Sequence, residues 1–196
     1  MEIEKTLELP PRQRILTTAC DLFYRYGIHY VGIDWIIKES NVAKMTFYKH
    51  FPSKSNLVAA YLDHQKDSWW QLLKNKSRSE DSPLERILVM FDVVDVLLHA
   101  ANFQGCPFMK ALAEFGPDHE EPEIQTHIFT YFREMEVQMS ELIRQMKLEE
   151  NMSQTILSLV FGSMVVAQST GRDDIAQINK EIAQLLLNRT CSSPKL

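Results

Sequence analysis

Apolar residues recur along this chain at intervals of three and four, the period of helices with one buried face, and almost never at the interval of two that strands need. Ile15, Ala19, Leu22, Phe23 and Tyr26 predict a first helix over Arg12–Tyr26, closed by Gly27 as a C-terminal cap. Leu57, Tyr61 and Leu62 lie near the start of a long helix from Lys54 to about Lys74. The polar run from Asn75 to Pro83 is the clearest linker, with Ser82 as cap and Pro83 at a first helical position. Ile87, Met90, Phe91, Val94, Leu97 and Leu98 make the next amphipathic helix, broken by Asn102–Pro107. A short helix over Phe108–Phe115 ends at Gly116-Pro117, and the loop from Asp118 to Pro122 follows. The long helix Glu123–Lys147 has the core face Ile124, Ile128, Phe132, Met135, Met139, Leu142, Ile143 and Met146. Two final helices, Met152–Ser169 and Asp173–Asn188, flank Thr170-Gly171; residues 1–11 read as a loose arm and Cys191–Leu196 as a frayed end. No strand and no internal repeat emerges, so the chain is all-α.

One stretch, Gly32–Lys54, is short and differently built. Ile33, Ile36 and Ile37 share a helical stripe, and Ser40-Asn41 interrupts it, asparagine being tolerant of left-handed backbone. Val42 turns back toward the core. A second helix, Lys44–His50, carries cations and hydroxyls and stops at Phe51-Pro52, since proline disfavours helix at the residue before it. Ser53 is a natural N-cap for the helix opening at Lys54. Helix, turn, and a second helix of this chemistry is how a short helix is presented to a DNA major groove.

The overall charge, −5 over 196 residues, runs against that reading. Its distribution does not. From Pro10 to Ala60 seven cations (Arg12, Arg14, Arg25, Lys38, Lys44, Lys49, Lys54) face only Asp21, Asp34 and Glu39, a surplus of four. Residues 1–9 carry −2, which leaves −7 from Tyr61 onward. A basic head on an acidic body suits a head that meets phosphates. Glu2, Glu4 and Glu8 without an apolar run predict no signal peptide, and the apolar stretch Ile156–Ala167, interrupted by Ser158, Gly162 and Ser163, is expected to be too short for a membrane span. Cys20, Cys106 and Cys191 are few, odd in number and far apart, which fits a reducing cytoplasm and no disulfide or zinc site.

The chain resembles the TetR family of transcriptional regulators. The residues that carry the resemblance are Ala19–Gly27 (ACDLFYRYG), Ile36, Val42, Thr46-Phe47-Tyr48-Lys49-His50-Phe51, Lys54 and Leu57, with weaker likeness in Gly105-Cys106-Pro107 and Phe161-Gly162-Ser163. It departs from the family pattern where threonine or serine usually caps the second helix, here Val31-Gly32, and at Ala43, the place of the usual serine cap of the recognition helix. A lost hydroxyl cap costs about 1 kcal/mol and often a phosphate contact. The resemblance implies a homodimeric repressor on a near-palindromic operator, released by a small, apolar or aromatic effector. It implies a three-helix DNA-binding domain over residues 1–55 and a ligand-binding and dimerisation domain over residues 56–196.

Within that frame Lys44, Met45 and Thr46 open the recognition helix, where side chains reach base edges; Tyr48 and Lys49 lie one turn on. Lys54 adds a cation at a helix N-terminus, a phosphate clamp. Phe47 reads as core and His50 as structural. Phe91, Phe103, Phe108 and Phe132 are the candidate lining of an apolar ligand pocket. Val160, Phe161 and Met164 on one helix, with Ile178, Ile182 and Leu185 on the next, are the candidate dimer face, two helices per subunit forming a four-helix bundle. Gly162, Ser163 and Ala167 would allow close approach.

Other chemistry finds little support. Asp92, Asp95 and His99 share a face, as do Glu123 and His127, and His119 sits in an acidic loop, but no Glu-x-x-His pair occurs and a solvated face is the better account. Cys106 reads as a buried structural thiol rather than a redox sensor. Without a glycine-rich phosphate loop, G-x-S-x-G or H-E-x-x-H, the sequence offers no enzyme, no cofactor and no metal. The alternative is a helical small-molecule-binding or interaction protein of the same fold with lost or weakened DNA binding.

Overall fold

A computed structural model describes residues 9–116 and 121–192, with side chains to residue 188. The expected arm over residues 1–11, the loop Asp118–Pro122 with His119, and the frayed end with Cys191 fall wholly or partly outside the described residues. Within them the chain is entirely helical: α1 Pro11–Tyr26, α2 Ile33–Ser40, α3 Lys44–His50, α4 Lys54–Lys76, α5 Pro83–Leu98, α6 Pro107–Glu114, α7 Pro122–Gln145, α8 Asn151–Thr170 and α9 Ile175–Ser192. The chain divides into two compact units, Met1–Lys66 with Pro107–Phe129, and Asp67–Cys106 with Thr130–Leu196.

In the first unit Ile15, Ala19, Leu22 and Phe23 of α1 are buried with Ile36 of α2, Phe47 of α3 and Leu57, Val58, Tyr61 and Leu62 of α4. Phe23 meets Tyr61 edge-on at 5.5 Å. Gly27 ends α1 as expected, but at φ 90 and ψ 153, a region open essentially to glycine alone. That turn is clasped by α6, which the sequence had only as part of the body. The Glu114 carboxylate accepts the Ile28 N–H at 2.9 Å and the His29 N–H at 2.5 Å. His29 stacks on Phe115 at 4.5 Å. Lys110 donates to the carbonyl of Tyr24, in the last turn of α1. Glu114 thus serves two backbone donors of the turn, while Lys110 sets a cation on a carbonyl at the C-terminal end of α1, the sign that helix end favours.

The second unit is built on α5, α7, α8 and α9. Six residues of α5 are buried, Ile87, Met90, Phe91, Val93, Val94 and Leu98, after a capping box in which Ser82 and Glu85 satisfy each other's backbone N–H. On α7 Tyr131 is buried and Phe132 is not; Phe132 instead meets Phe161 at 5.5 Å. The helix stops at Gln145, short of the expected Lys147, because Lys147 turns left-handed at φ 57 and the Leu148 N–H bonds back to the Ile143 carbonyl at 3.2 Å.

Val160 and Met164, expected at a dimer face, lie inside this chain's own core with Ile156, Leu157 and Ala167. On α9 the buried positions are Ala176, Ala183 and Leu187, and the expected apolar stripe is left outward, with Ile182 40% and Leu185 58% exposed. Two polar ties fix α9. Asn179 donates to the Leu159 carbonyl and to Ser163 Oγ at 3.2 and 2.9 Å, and Lys180 reaches Asp92 at 2.6 Å. Ser163 is therefore a buried hydrogen-bonding residue, and Asp92 is an ion-pair partner rather than part of a solvated face. Asp95 and His99 stay near the surface, with His99 3.7 Å from Asp173. The 20-residue α8 corrects one sequence expectation: by length and composition it is long and apolar enough to cross a membrane. Its face of Ile156, Val160, Met164 and Ala167 is buried by packing, and Asn179 bonds across to it.

Candidate nucleic-acid interface

The turn between α2 and α3 is set by Asn41, left-handed at φ 50 and ψ 51, whose N–H returns to the Ile37 and Lys38 carbonyls. Ser40 folds inward and donates to the Ile36 carbonyl at 2.6 Å, so its hydroxyl is satisfied although buried. Arg14 of α1 donates to the Asn41 carbonyl at 3.4 Å from outside the turn. The sequence placed a left-handed asparagine here, and the backbone has one.

Phe47 anchors α3. It is fully buried, packed against Phe51 and the edge of Tyr48, with the Arg12 guanidinium over the Phe51 ring at 5.2 Å. With Phe47 inward, helical spacing turns other positions out: Met45 is 84% and Tyr48 41% exposed, Lys44 and Lys49 are exposed, and Thr46 is half-buried. Five of the expected DNA-facing residues thus sit together on one seven-residue helix. Neither Gly32 nor Ala43 supplies a side-chain cap. The amides opening α2 and α3 consequently have no side-chain acceptor at their caps, which leaves a helix N-terminus suited to an anion.

Lys54, the sixth, is placed differently. Ser53 caps its helix, accepting the Asn56 N–H at 3.1 Å, and the Lys54 ammonium reaches the His29 carbonyl at 3.4 Å. Partial burial there lowers the Lys54 pKa, opposed by Glu114 and Glu121. Lys44 pairs with Asp34 at 3.1 Å across the turn, and that hydrogen bond holds its pKa above the ordinary lysine value. Arg25 pairs with Asp21 at 2.9 Å. The charge surplus of the head is therefore only partly directed at the α3 face, a division that net charge cannot express.

Sequence reasoning missed an aromatic group formed by the end of α1, the turn after it and α2. Tyr26 and Trp35 have ring centroids 5.0 Å apart, and Tyr30, 75% exposed, meets the Trp35 edge at 6.2 Å. Two of these rings lie outside regular apolar stripes, so periodicity carried no signal for them. The sequence points to four phenylalanines as the lining of a pocket. Phe108 belongs to the first unit, while Phe91, Phe103 and Phe132 belong to the second. Phe91 is fully buried and Phe103 and Phe132 are half-buried. Among the described residues no group of three metal-ligating side chains occurs.

A family model described as bacterial regulatory proteins, tetR family, matches residues 15–61, a span that holds most of α1, all of α2 and α3 and the start of α4. The Nucleoid occlusion factor SlmA of Haemophilus influenzae strain PittGG is 22% identical over 172 residues, covering 87% of this chain and 77% of that protein. An uncharacterized HTH-type transcriptional regulator in the lacX 3' region of Lactococcus lactis subsp. lactis is 28% identical over 177 residues, covering 89% of this chain and 82% of its own length. The crystal structure of a TetR-family transcriptional regulator from Streptomyces coelicolor superposes with a TM-score of 0.84 at 24% identity, over 93% of this chain and 96% of that one.

Proposed function

We propose that this chain, a member of the TetR family of transcriptional regulators, is a homodimeric, ligand-responsive repressor that reads a near-palindromic operator. The observation that carries this reading is the outward face of α3, with Lys44, Met45, Tyr48 and Lys49 held over the buried Phe47. Lys44, Met45 and Thr46 reach base edges, and Tyr48 and Lys49 hold phosphates. Residues 1–55 form the reading domain and residues 56–196 the sensing and dimerising one.

Dimerisation is supported by the outward stripe of α9 and by Val165 of α8, 48% exposed. A Cβ placed at Gly162 would meet no atom of its own chain within 4 Å, so a partner helix has room there. Ile178, Ile182, Leu185 and Phe161 then form the seam. Two heads at half-site spacing of about 34–36 Å, or a near multiple, match DNA. A small effector favours another arrangement and so weakens DNA binding by linkage. The family and fold are those of regulators, and the protein works in the cytoplasm without catalysis.

Fluorescence anisotropy with DNA flanking the chain's own gene tests this. Affinity should fall by about a thousandfold between 50 and 200 mM salt for six or more phosphate contacts. Tyr48→Ala with Lys49→Ala should lower the salt slope by about two per dimer. Unchanged binding by that variant would show that another face reads DNA. A second reading, a sensor of the same fold with weakened DNA binding, is favoured by the absent caps at Gly32 and Ala43; specific binding no tighter than to random DNA would select it.

A further inference from the structure

Three helix faces of the second unit converge on a cavity of about 490 Å³, within the range of small-molecule sites. Leu73, Met90 and Leu142 supply apolar lining from α4, α5 and α7, and Trp70 supplies an aromatic wall whose indole N–H donates to Glu134 at 3.3 Å. Lys74, Arg78 and Arg86 also line it, and no carboxylate does, although the chain from Tyr61 onward carries −7. Among the described residues neither Lys74 nor Arg86 has an ion-pair partner, while Arg78 also borders a neighbouring cleft with Glu85. A purely solvated basic face would not enclose apolar side chains or a hidden polar atom, and this one does. Gln138 lines the cavity, and its Oε1 is buried and accepts no hydrogen bond. A buried acceptor without a donor is costly, so the site calls for a ligand N–H or O–H there.

We propose that this cavity binds a small amphiphilic monoanion. Its head pairs with Lys74 and Arg86, its aromatic or branched apolar body lies on Trp70, Leu73, Met90 and Leu142, and an N–H or O–H on that body donates to Gln138. This rests on the reading of the chain as ligand-responsive, and names the chemical class of the effector.

The test uses the full chain and two dyes that share one body. 8-Anilinonaphthalene-1-sulfonate carries a sulfonate and an N–H on an apolar frame; N-phenyl-1-naphthylamine lacks only the sulfonate. One sulfonate dye should bind per chain, at least about tenfold more tightly than the neutral one, as charge-assisted hydrogen bonds require. Lys74→Gln with Arg86→Gln, both exposed and so harmless to folding, should weaken the sulfonate dye by about tenfold or more and the neutral dye by less than about twofold. Lys147→Gln with Arg172→Gln removes the same charge elsewhere and should change neither. Equal affinity for the two dyes, no binding of the sulfonate dye, or indifference to the Lys74 and Arg86 substitutions would overturn the proposal. If the dye binds as expected yet leaves DNA affinity unaltered, the anion site stands and the effector reading falls.

Discussion

Removing the Glu114 carboxylate should loosen the turn after α1 by a measurable amount. Each of its two hydrogen bonds joins a charged acceptor to a backbone N–H, at 2.9 and 2.5 Å. Bonds of that kind contribute about 1.5–3 kcal/mol apiece. The His29 N–H lies at the surface, where water replaces the lost oxygen, so Glu114→Ala should cost about 2–3 kcal/mol in total rather than the full sum. For a chain of this size each kcal/mol lowers Tm by about 2–4 °C, which gives a drop of about 4–12 °C by circular dichroism. Glu114→Gln keeps one acceptor and turns an NH2 toward the other amide, so it should recover at most about half. Gly27 provides a cross-check. Its backbone excludes a side chain, and a Cβ there would stand 3.3 Å from Glu114 Oε1. Gly27→Ala should cost about 1–3 kcal/mol, and less in the Glu114→Ala background, where the crowding is gone. A Glu114→Ala protein that melts within about 1 °C of the parent would refute the clasp as a stabilising contact.

Three further outcomes are expected. Ala43→Ser restores a hydroxyl at a cap whose backbone, φ −70 and ψ 145, already suits it; Tm should rise by about 2–4 °C and operator affinity should improve, whereas a fall in either would mean the hydroxyl finds no amide to accept. Leu185→Asp puts a charge on a residue that is 58% exposed in one chain, so helicity should be retained while sedimentation shifts from dimer to monomer; an unchanged dimer mass would place the seam elsewhere. Burial, reinforced by neighbouring Asp21, pushes the Cys20 thiol up to about 12, so the thiolate is scarce below that pH. In a Cys191→Ser chain, Cys20 and Cys106 should react slowly with a disulfide reagent at pH 8 and rapidly after unfolding; fast native reaction would contradict that burial.

Local chemistry was legible in the residues themselves. Helices were announced by three-and-four spacing, and their ends by Gly27, Asn41, Ser53 and Ser82, because a cap or a left-handed turn depends on one side chain and the backbone beside it. The inward Phe47 and the outward Met45 and Tyr48 follow from the same local period, so most of the α3 face is readable from the sequence. Which of two apolar stripes faces inward was not. On α8 and α9 both faces are apolar, and only packing determined that Val160, Met164, Ala176, Ala183 and Leu187 fill the core while Ile182 and Leu185 stay outside. Long-range polar partners were equally hidden: Glu114 meets Ile28 and His29 across more than eighty residues, and Lys180 meets Asp92 across 88. The same holds for the cavity. Sequence reasoning sought an apolar site in phenylalanines, but Trp70, Lys74, Arg86 and Gln138 come together only when three helices converge, and spacing within one helix carries no record of what another brings to it.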